Sequence, residues 1–463
     1  MRLTAKSLTI AGIGLFQLIT LLVIFLFIGT LNYVEMSLLG IVVVIVDILV
    51  ITQICKIPFI SIPNIFSILN LFFNLGQIIK EAFNLDGFVP LPFENYADLE
   101  TIQLAFWFYI LSQTLFMVGV GVICSKAKAS TIATSFLAKS FDSEALFIAK
   151  VLLIIGFLPR IYIDFMSLTG AMAQGYEGVY SLYIPQPVRS LAFFFDAGLV
   201  FLLYYGSRFS WNKYFFLSVI LYKCLIMASG GRQDKVAFLL IWIYVFVCVV
   251  HRLTIKKTIF LFCASVLGFL FISSIGEIRT SGAFNIIDIL ELIISGENSY
   301  VLGNALGEFG SAFDTLEVAI QYTPEYISYG YGKTYIAGII SIIPLIVKQF
   351  PFLDESVLFI CQLPTSIVFA FGGSYLGELY YNFSWFGILG SYIVGMILGN
   401  VHVTIIKNGG TTLLQKGWAS ILGISLILFI RGYFTDMVQQ LIWTYFLMYL
   451  ICSYVRKKRH HYD

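Results

Sequence analysis

Arg160, Arg232, Arg279 and Arg431 each lie in or at the edge of an apolar run. A guanidinium stays charged at any ordinary pH and forks toward two acceptor oxygens, which matches phosphate. A cation at membrane depth is costly and rarely incidental. The topology argued below puts all four near the outer mouth of a hydrophobic segment. Together they fit a site for a doubly charged phosphate group, and hence chemistry on a phosphate-bearing lipid. Asp164 follows Arg160 by one helical turn in LLIIGFLPRIYIDFM, so the two share a helix face. That spacing serves either a phosphate-binding arginine positioned by its carboxylate or an ion pair that fixes packing. Gly230 and Gly231 precede Arg232 in SGGRQDK, where they would let backbone approach a ligand or simply make a tight turn. Arg279 in SSIGEIRTSG and Arg431 in ILFIRGYF also fit snorkelling anchors.

Carboxylates in glycine-rich apolar text form the second candidate group. Glu308 lies in LGNALGEFGSAFDT, with Asp314 beyond it, and Glu378 in FGGSYLGELYYNFSWFG beside Gly373. Desolvation near a membrane surface can raise a carboxyl pKa toward the range of a general base for a sugar hydroxyl. Helix capping is the plainer alternative. Glu378 ranks first as base and Glu308 second. His251, His402, His460 and His461 all fall on the inner side of the topology below, which leaves no histidine base outside. Tyr331 and Tyr381 belong to a set of outer tyrosines that could pack on sugar rings or form an interfacial belt. No aspartate pair or histidine cluster implies a metal. The seven cysteines include no CxxC and sit in or beside apolar runs, as packing residues do.

The elements that must position these groups are membrane helices. Of 463 residues, 59% are hydrophobic and 12% charged, and the mean hydropathy is +0.90. Soluble domains carry about 25% charged residues. Apolar runs near the length of about 20 residues needed to cross a bilayer recur throughout. The expected fold is all-α, a single polytopic membrane bundle over 1–463 with about 12 to 14 transmembrane helices. Spans are expected near 8–29, 34–54, 58–79, 101–124, 146–168, 190–206, 213–229, 236–250, 258–275, 383–405, 417–432 and 438–455. The third is the least regular, because Pro63, Asn64, Asn70 and Asn74 interrupt it.

Charge sets the orientation. With the N-terminus inside, inner loops hold Lys56, Lys126, Lys128, Arg208, Arg252, Lys256, Lys257 and the run from Arg456 to Arg459. Outer loops are mostly acidic, as in Glu81, Asp86, Glu94, Asp98 and Glu100. Cytoplasmic enrichment of Lys and Arg then places both termini inside. The segment 276–382 falls outside, with eleven acids against Arg279, Lys333 and Lys348. Its apolar stretches are broken by Pro344 and Pro364 and are expected to be re-entrant or interfacial helices, or else a hairpin that spans, which keeps the parity.

Four stretches together resemble the Wzy-type polymerases of oligosaccharide repeat units, which build O-antigen, capsule or exopolysaccharide. They are the Gly-Gly-Arg loop, the EFG around Glu308, YGYGKTYIAGIISIIP, and GGSYLGELYYNFSWFG. The resemblance spans roughly 140–440 and is densest between Gly303 and Gly390. Glu378, Tyr381, Asn382 and Phe383 match the family's pattern, and Ser384 stands where the family often has glycine. The resemblance implies a glycosyltransferase at the outer face of the bacterial cytoplasmic membrane. Its donor and acceptor are polyprenyl-diphosphate-linked oligosaccharides, and it needs no cofactor, because the diphosphate bond is already activated. Membrane lipid and the lipid-linked oligosaccharide are the expected partners, nucleic acid is not, and there is room for a chain-length regulator protein. A flippase or transporter of the same lipid, or a glycan ligase, is the alternative. A ligase usually relies on an outer histidine, and a flippase should carry charge through both leaflets.

Overall fold

The computed structural model describes residues 5–27, 29–87, 92–126, 139–180, 184–206, 212–227, 232–247, 298–343, 372–407 and 412–459. Among them the regular elements are helices, with no strand. The chain forms two compact units interleaved in sequence. One comprises 1–129, 302–403 and 426–439, and the other 130–301, 404–425 and 440–463.

The first unit begins with α1 (Ala5–Phe27), α2 (Tyr33–Cys55), α3 (Ile62–Ala82) and α4 (Leu99–Cys124). Two starts are capped as their sequences dictate. Asn32 and Glu35 form a reciprocal capping box on α2, and the Asp98 side chain accepts from Thr101 N–H on α4. Helix α1 turns Phe16, Leu26 and Phe27 outward, as a lipid-facing helix does. The residues that seemed to interrupt the third span explain its place. Pro63 sits in the first turn of α3, where its missing N–H costs nothing. Asn64, Ser67, Asn70, Asn74 and Gln77 recur every three or four residues and form one buried stripe. Asn70 Nδ2 donates to Gln113 Oε1 at 3.2 Å, and Gln113 Nε2 donates to Ser67 Oγ at 3.1 Å. Polar side chains in a bilayer need protein partners, and α4 supplies them.

The same unit continues with α9 (Asn298–Phe309, from Leu302 on), α10 (Ala312–Tyr322), α11 (Lys333–Ile340), α12 (Tyr375–Phe383) and α13 (Ile388–Ile406, up to Val403). These described parts of 276–382 are packed helices. Residues 312–320 of α10 are buried, and α10 packs on α3, α4 and α12.

In the second unit, α5 (Lys139–Tyr180) packs along α6 (Gln186–Gly206), followed by α7 (Asn212–Met227) and α8 (Gln233–Val245). The α5–α6 contact brings backbone to backbone. A Cβ on Gly156 would lie 2.2 Å from the Phe195 nitrogen, and one on Gly198 would lie 2.8 Å from Leu153 Cγ. Helix α5 turns Ile154, Leu158 and Phe165 outward, so Arg160 and Asp164 face in. Gly156→Ala is therefore expected to pry the helices apart and cost about 1–3 kcal/mol by overpacking. Thermal unfolding in detergent measures it, and an unchanged transition would contradict the close approach. The later helices are α14 (Leu413–Phe429) and α15 (Phe434–Arg459).

Eleven of the twelve expected spans coincide with these helices, and 258–275 lies outside the described residues. Seven of the described helices are long and apolar enough to cross a membrane. The chain is thus a polytopic helical membrane protein. Helices α7, α8 and α14 are shorter, at 16, 13 and 17 residues.

Candidate functional site

Each unit contains its own cluster of buried charge. In the second unit Arg160 is the hub. Its Nε and Nη2 reach the two carboxylate oxygens of Asp164 at 3.1 and 2.9 Å. Its Nη1 lies 3.6 Å from Asp196 on α6 and 3.8 Å from Asp234 on α8. Asp164 also accepts from the Tyr222 hydroxyl. Lys223 on α7 is fully buried, with Nζ 2.5 Å from Asp196 Oδ1 and 4.5 Å from the Phe238 ring centroid. Lys235 holds Asp234 at 2.9 Å. Among the described residues, Asp164, Asp196 and Asp234 thus pair with Arg160, Lys223 and Lys235 across four helices. Gly156 and Gly198 position the cluster, since Arg160 lies one turn past Gly156 and Asp196 follows Phe195. Asp234 also sits in the first turn of α8, where the helix dipole favours a carboxylate. Burial forces such groups to find partners, because an uncompensated charge in a dry interior costs several kcal/mol, of order 3–5.

Asp164 thus holds Arg160 as its spacing predicts. Arg232 is buried in the same unit, at the N-cap of α8. Gly230, Gly231 and Arg279 lie outside the described residues. Asp196 and Lys223 were not among the candidate residues. The sequence carries their signal, an aspartate inside LAFFFDAGLVF and a lysine inside ILYKCLIM, each alone in an apolar run.

In the first unit Arg431 follows α14, and its Nη2 donates to Ser311 Oγ at 2.9 Å. Ser311 Oγ donates in turn to the Glu308 carbonyl at 2.9 Å. Next on α10, Asp314 accepts from Gln77 Nε2 at 3.1 and 3.3 Å, and Thr315 Oγ1 donates to the Gly372 carbonyl at 2.9 Å. Gly76 and Gly310 make this contact. A Cβ on Gly310 would lie 2.4 Å from the Gln77 nitrogen, and one on Gly76 2.5 Å from the Leu306 carbonyl. Glu317 lies one turn beyond Asp314, fully buried, and neither of its carboxylate oxygens has a hydrogen bond among the described residues. The family-like text singles out neither Gln77 nor Glu317.

Glu378 is also fully buried, and its Oε2 accepts from the Phe434 N–H at 2.8 Å, at the start of α15. Glu308 is half-buried on α9. The two stretches that carry most of the resemblance are joined physically. Gly330 N–H donates to the Tyr381 carbonyl and Gly332 N–H to Asn382 Oδ1, both at 2.9 Å. Asn382 Nδ2 donates to Thr334 Oγ1 and to the Glu378 carbonyl, both at 2.8 Å. Tyr335 stacks on Phe383 with ring centroids 5.8 Å apart. Tyr381 is buried, whereas Tyr331 is exposed at φ +48°. Gly373 faces the Gly432 backbone, 2.6 Å from an added Cβ. Ser384 has φ +52° and ψ −142°, a conformation glycine adopts without strain.

Among the described residues no group of three or more His, Cys, Asp or Glu side chains could hold a metal. Comparison with curated proteins and with solved structures returns no match. A family model described as O-antigen polysaccharide polymerase Wzy matches residues 13–459, nearly the whole chain, and the chain belongs to that family.

Proposed function

We propose that the protein joins polyprenyl-diphosphate-linked oligosaccharide repeat units at the outer face of the bacterial cytoplasmic membrane. The observation that carries this reading is the family match across residues 13–459, on a chain built of membrane-crossing helices. A hydroxyl of the incoming unit attacks the anomeric carbon of the growing chain. The bond from that carbon to diphosphate oxygen breaks, and the polyprenyl diphosphate leaves with the electron pair. Arg160, Arg232, Arg279 and Arg431 are assigned to the diphosphate, where preorganised donors in a water-poor site stabilise developing charge. Glu378, or Glu308 behind it, takes the hydroxyl proton. Gly230, Gly231 and Gly373 are assigned to close approach of backbone and ligand, and Tyr331 and Tyr381 to sugar contacts.

The test is reconstitution. Purified protein in liposomes, supplied with the native lipid-linked repeat unit alone, should produce a ladder of polymers and release polyprenyl diphosphate. Units that cross the bilayer without being joined would identify a flippase instead. Units left both unjoined and unmoved would remove the polymerase reading.

A further inference from the structure

The three carboxylates around Arg160 are not equivalent. Asp164 and Asp196 have side-chain exposures of 8% and 9%, and each is held by a second partner besides Arg160: Tyr222 for Asp164, Lys223 for Asp196. Asp234 is 48% exposed, and its contact with Arg160 is the longest of the three at 3.8 Å. One of its oxygens faces Arg160 and the other faces Lys235 at 2.9 Å. A single exposed carboxylate thus bridges two cations that are themselves buried, at 6% and 8% side-chain exposure. An anion with two or more oxygens would make the same bridge.

We infer that the Asp234 carboxylate occupies, in the ligand-free protein, the place a diphosphate takes between Arg160 and Lys235, and so sets the affinity for that anion. This rests on the proposed function, and it adds Lys235 as a binding residue and Asp234 as an internal competitor. Charge balance gives the reason. Without ligand each of the three carboxylates lies against at least one cation, which spares the membrane protein an uncompensated buried charge. An arriving diphosphate carries more charge than the carboxylate it displaces, and Asp234, the least enclosed of the three carboxylates, can turn aside. Asp164 and Asp196 stay and keep the guanidinium aligned. Apparent affinity is then reduced by the fraction of time Asp234 holds the bridge. Such weakening suits a polymerase, which must release polyprenyl diphosphate after every transfer.

The experiment measures binding of inorganic pyrophosphate and, separately, of a polyprenyl diphosphate to purified full-length protein in detergent. Asp234→Asn should bind about tenfold or more tightly than wild type, as expected when a like charge leaves the site. Lys235→Gln should bind about tenfold more weakly, since half the bridge is gone. A gain with both probes assigns the site to diphosphate itself, and a gain with the lipid alone assigns it to the lipid head group. Equal or weaker binding by a folded Asp234→Asn would overturn the inference while wild-type binding leaves the proposed function standing. Should Asp234→Asn not fold, unchanged affinity in Lys235→Gln overturns it equally. If wild type and both variants bind neither probe, the diphosphate reading itself fails.

Discussion

Glu378→Gln is expected to lower polymer formation by about 10²–10⁴-fold, the usual contribution of a general base, while leaving the protein folded. The structure sharpens this test. Glu378 Oε2 accepts from the Phe434 N–H at 2.8 Å, so the side chain also holds the start of α15. Glutamine retains a carbonyl oxygen for that N–H but cannot take a proton from a sugar hydroxyl. Glu378→Ala removes the acceptor as well and should cost a further 1–3 kcal/mol or so for a buried unpaired donor. Three readouts separate the roles: the polymer ladder, the thermal transition, and binding of the lipid-linked donor. Loss of ladder with the other two intact supports the base. A near-normal ladder from Glu378→Gln would reduce Glu378 to a cap and pass the proposed role to Glu308, which is half-buried.

The helices were largely legible because each is an apolar run, and a run is a local property. Asn64, Asn70 and Asn74 show how the same evidence misleads when read as a list. Counted, they weaken a span; placed at helical spacing, they form one interior stripe, in which Asn64 donates to the loop before α3, Asn70 to Gln113 on α4 and Asn74 back to Asn70. The charge clusters were half legible. Arg160 with Asp164 is a pair at four residues, visible within one helix. Asp196, Lys223 and Asp234 join it only because α5, α6, α7 and α8 meet, and nothing in one segment encodes which neighbour it packs against. A lone charge in an apolar run does announce that a partner exists, and Asp196 and Lys223 are each other's. Glu317 is less legible still, because its burial depends on α10 packing among α3, α4 and α12. The joining of YGYG to YYNF through Gly330, Gly332 and Asn382 likewise comes from tertiary contact between stretches 50 residues apart.

Arg160→Gln is expected to lower stability as well as rate, because it removes two things at once. It deletes the donor proposed for the diphosphate, and a charge-assisted bond of that kind is worth about 1.5–3 kcal/mol, or roughly ten- to a hundredfold in rate. It also takes from Asp164, Asp196 and Asp234 the cation they share, and breaking a buried pair on one side costs about 3–5 kcal/mol. Thermal stability and polymerisation should therefore fall together, and the single variant cannot assign a role. The double variant Arg160→Gln, Asp164→Asn can. It removes the carboxylate that Arg160 binds with two nitrogens, so Asp196 and Asp234 keep their closest cations, Lys223 and Lys235, and the amide pair can still hydrogen-bond. Its thermal transition should recover most of the loss, while polymer formation stays about as low as in the single variant. Arg160→Lys should keep the charge but not the fork, giving intermediate stability and a partial rate. If polymer formation returns with the fold in the double variant, Arg160 is an ion pair that holds α5 against its neighbours, and the diphosphate must be bound by other cations.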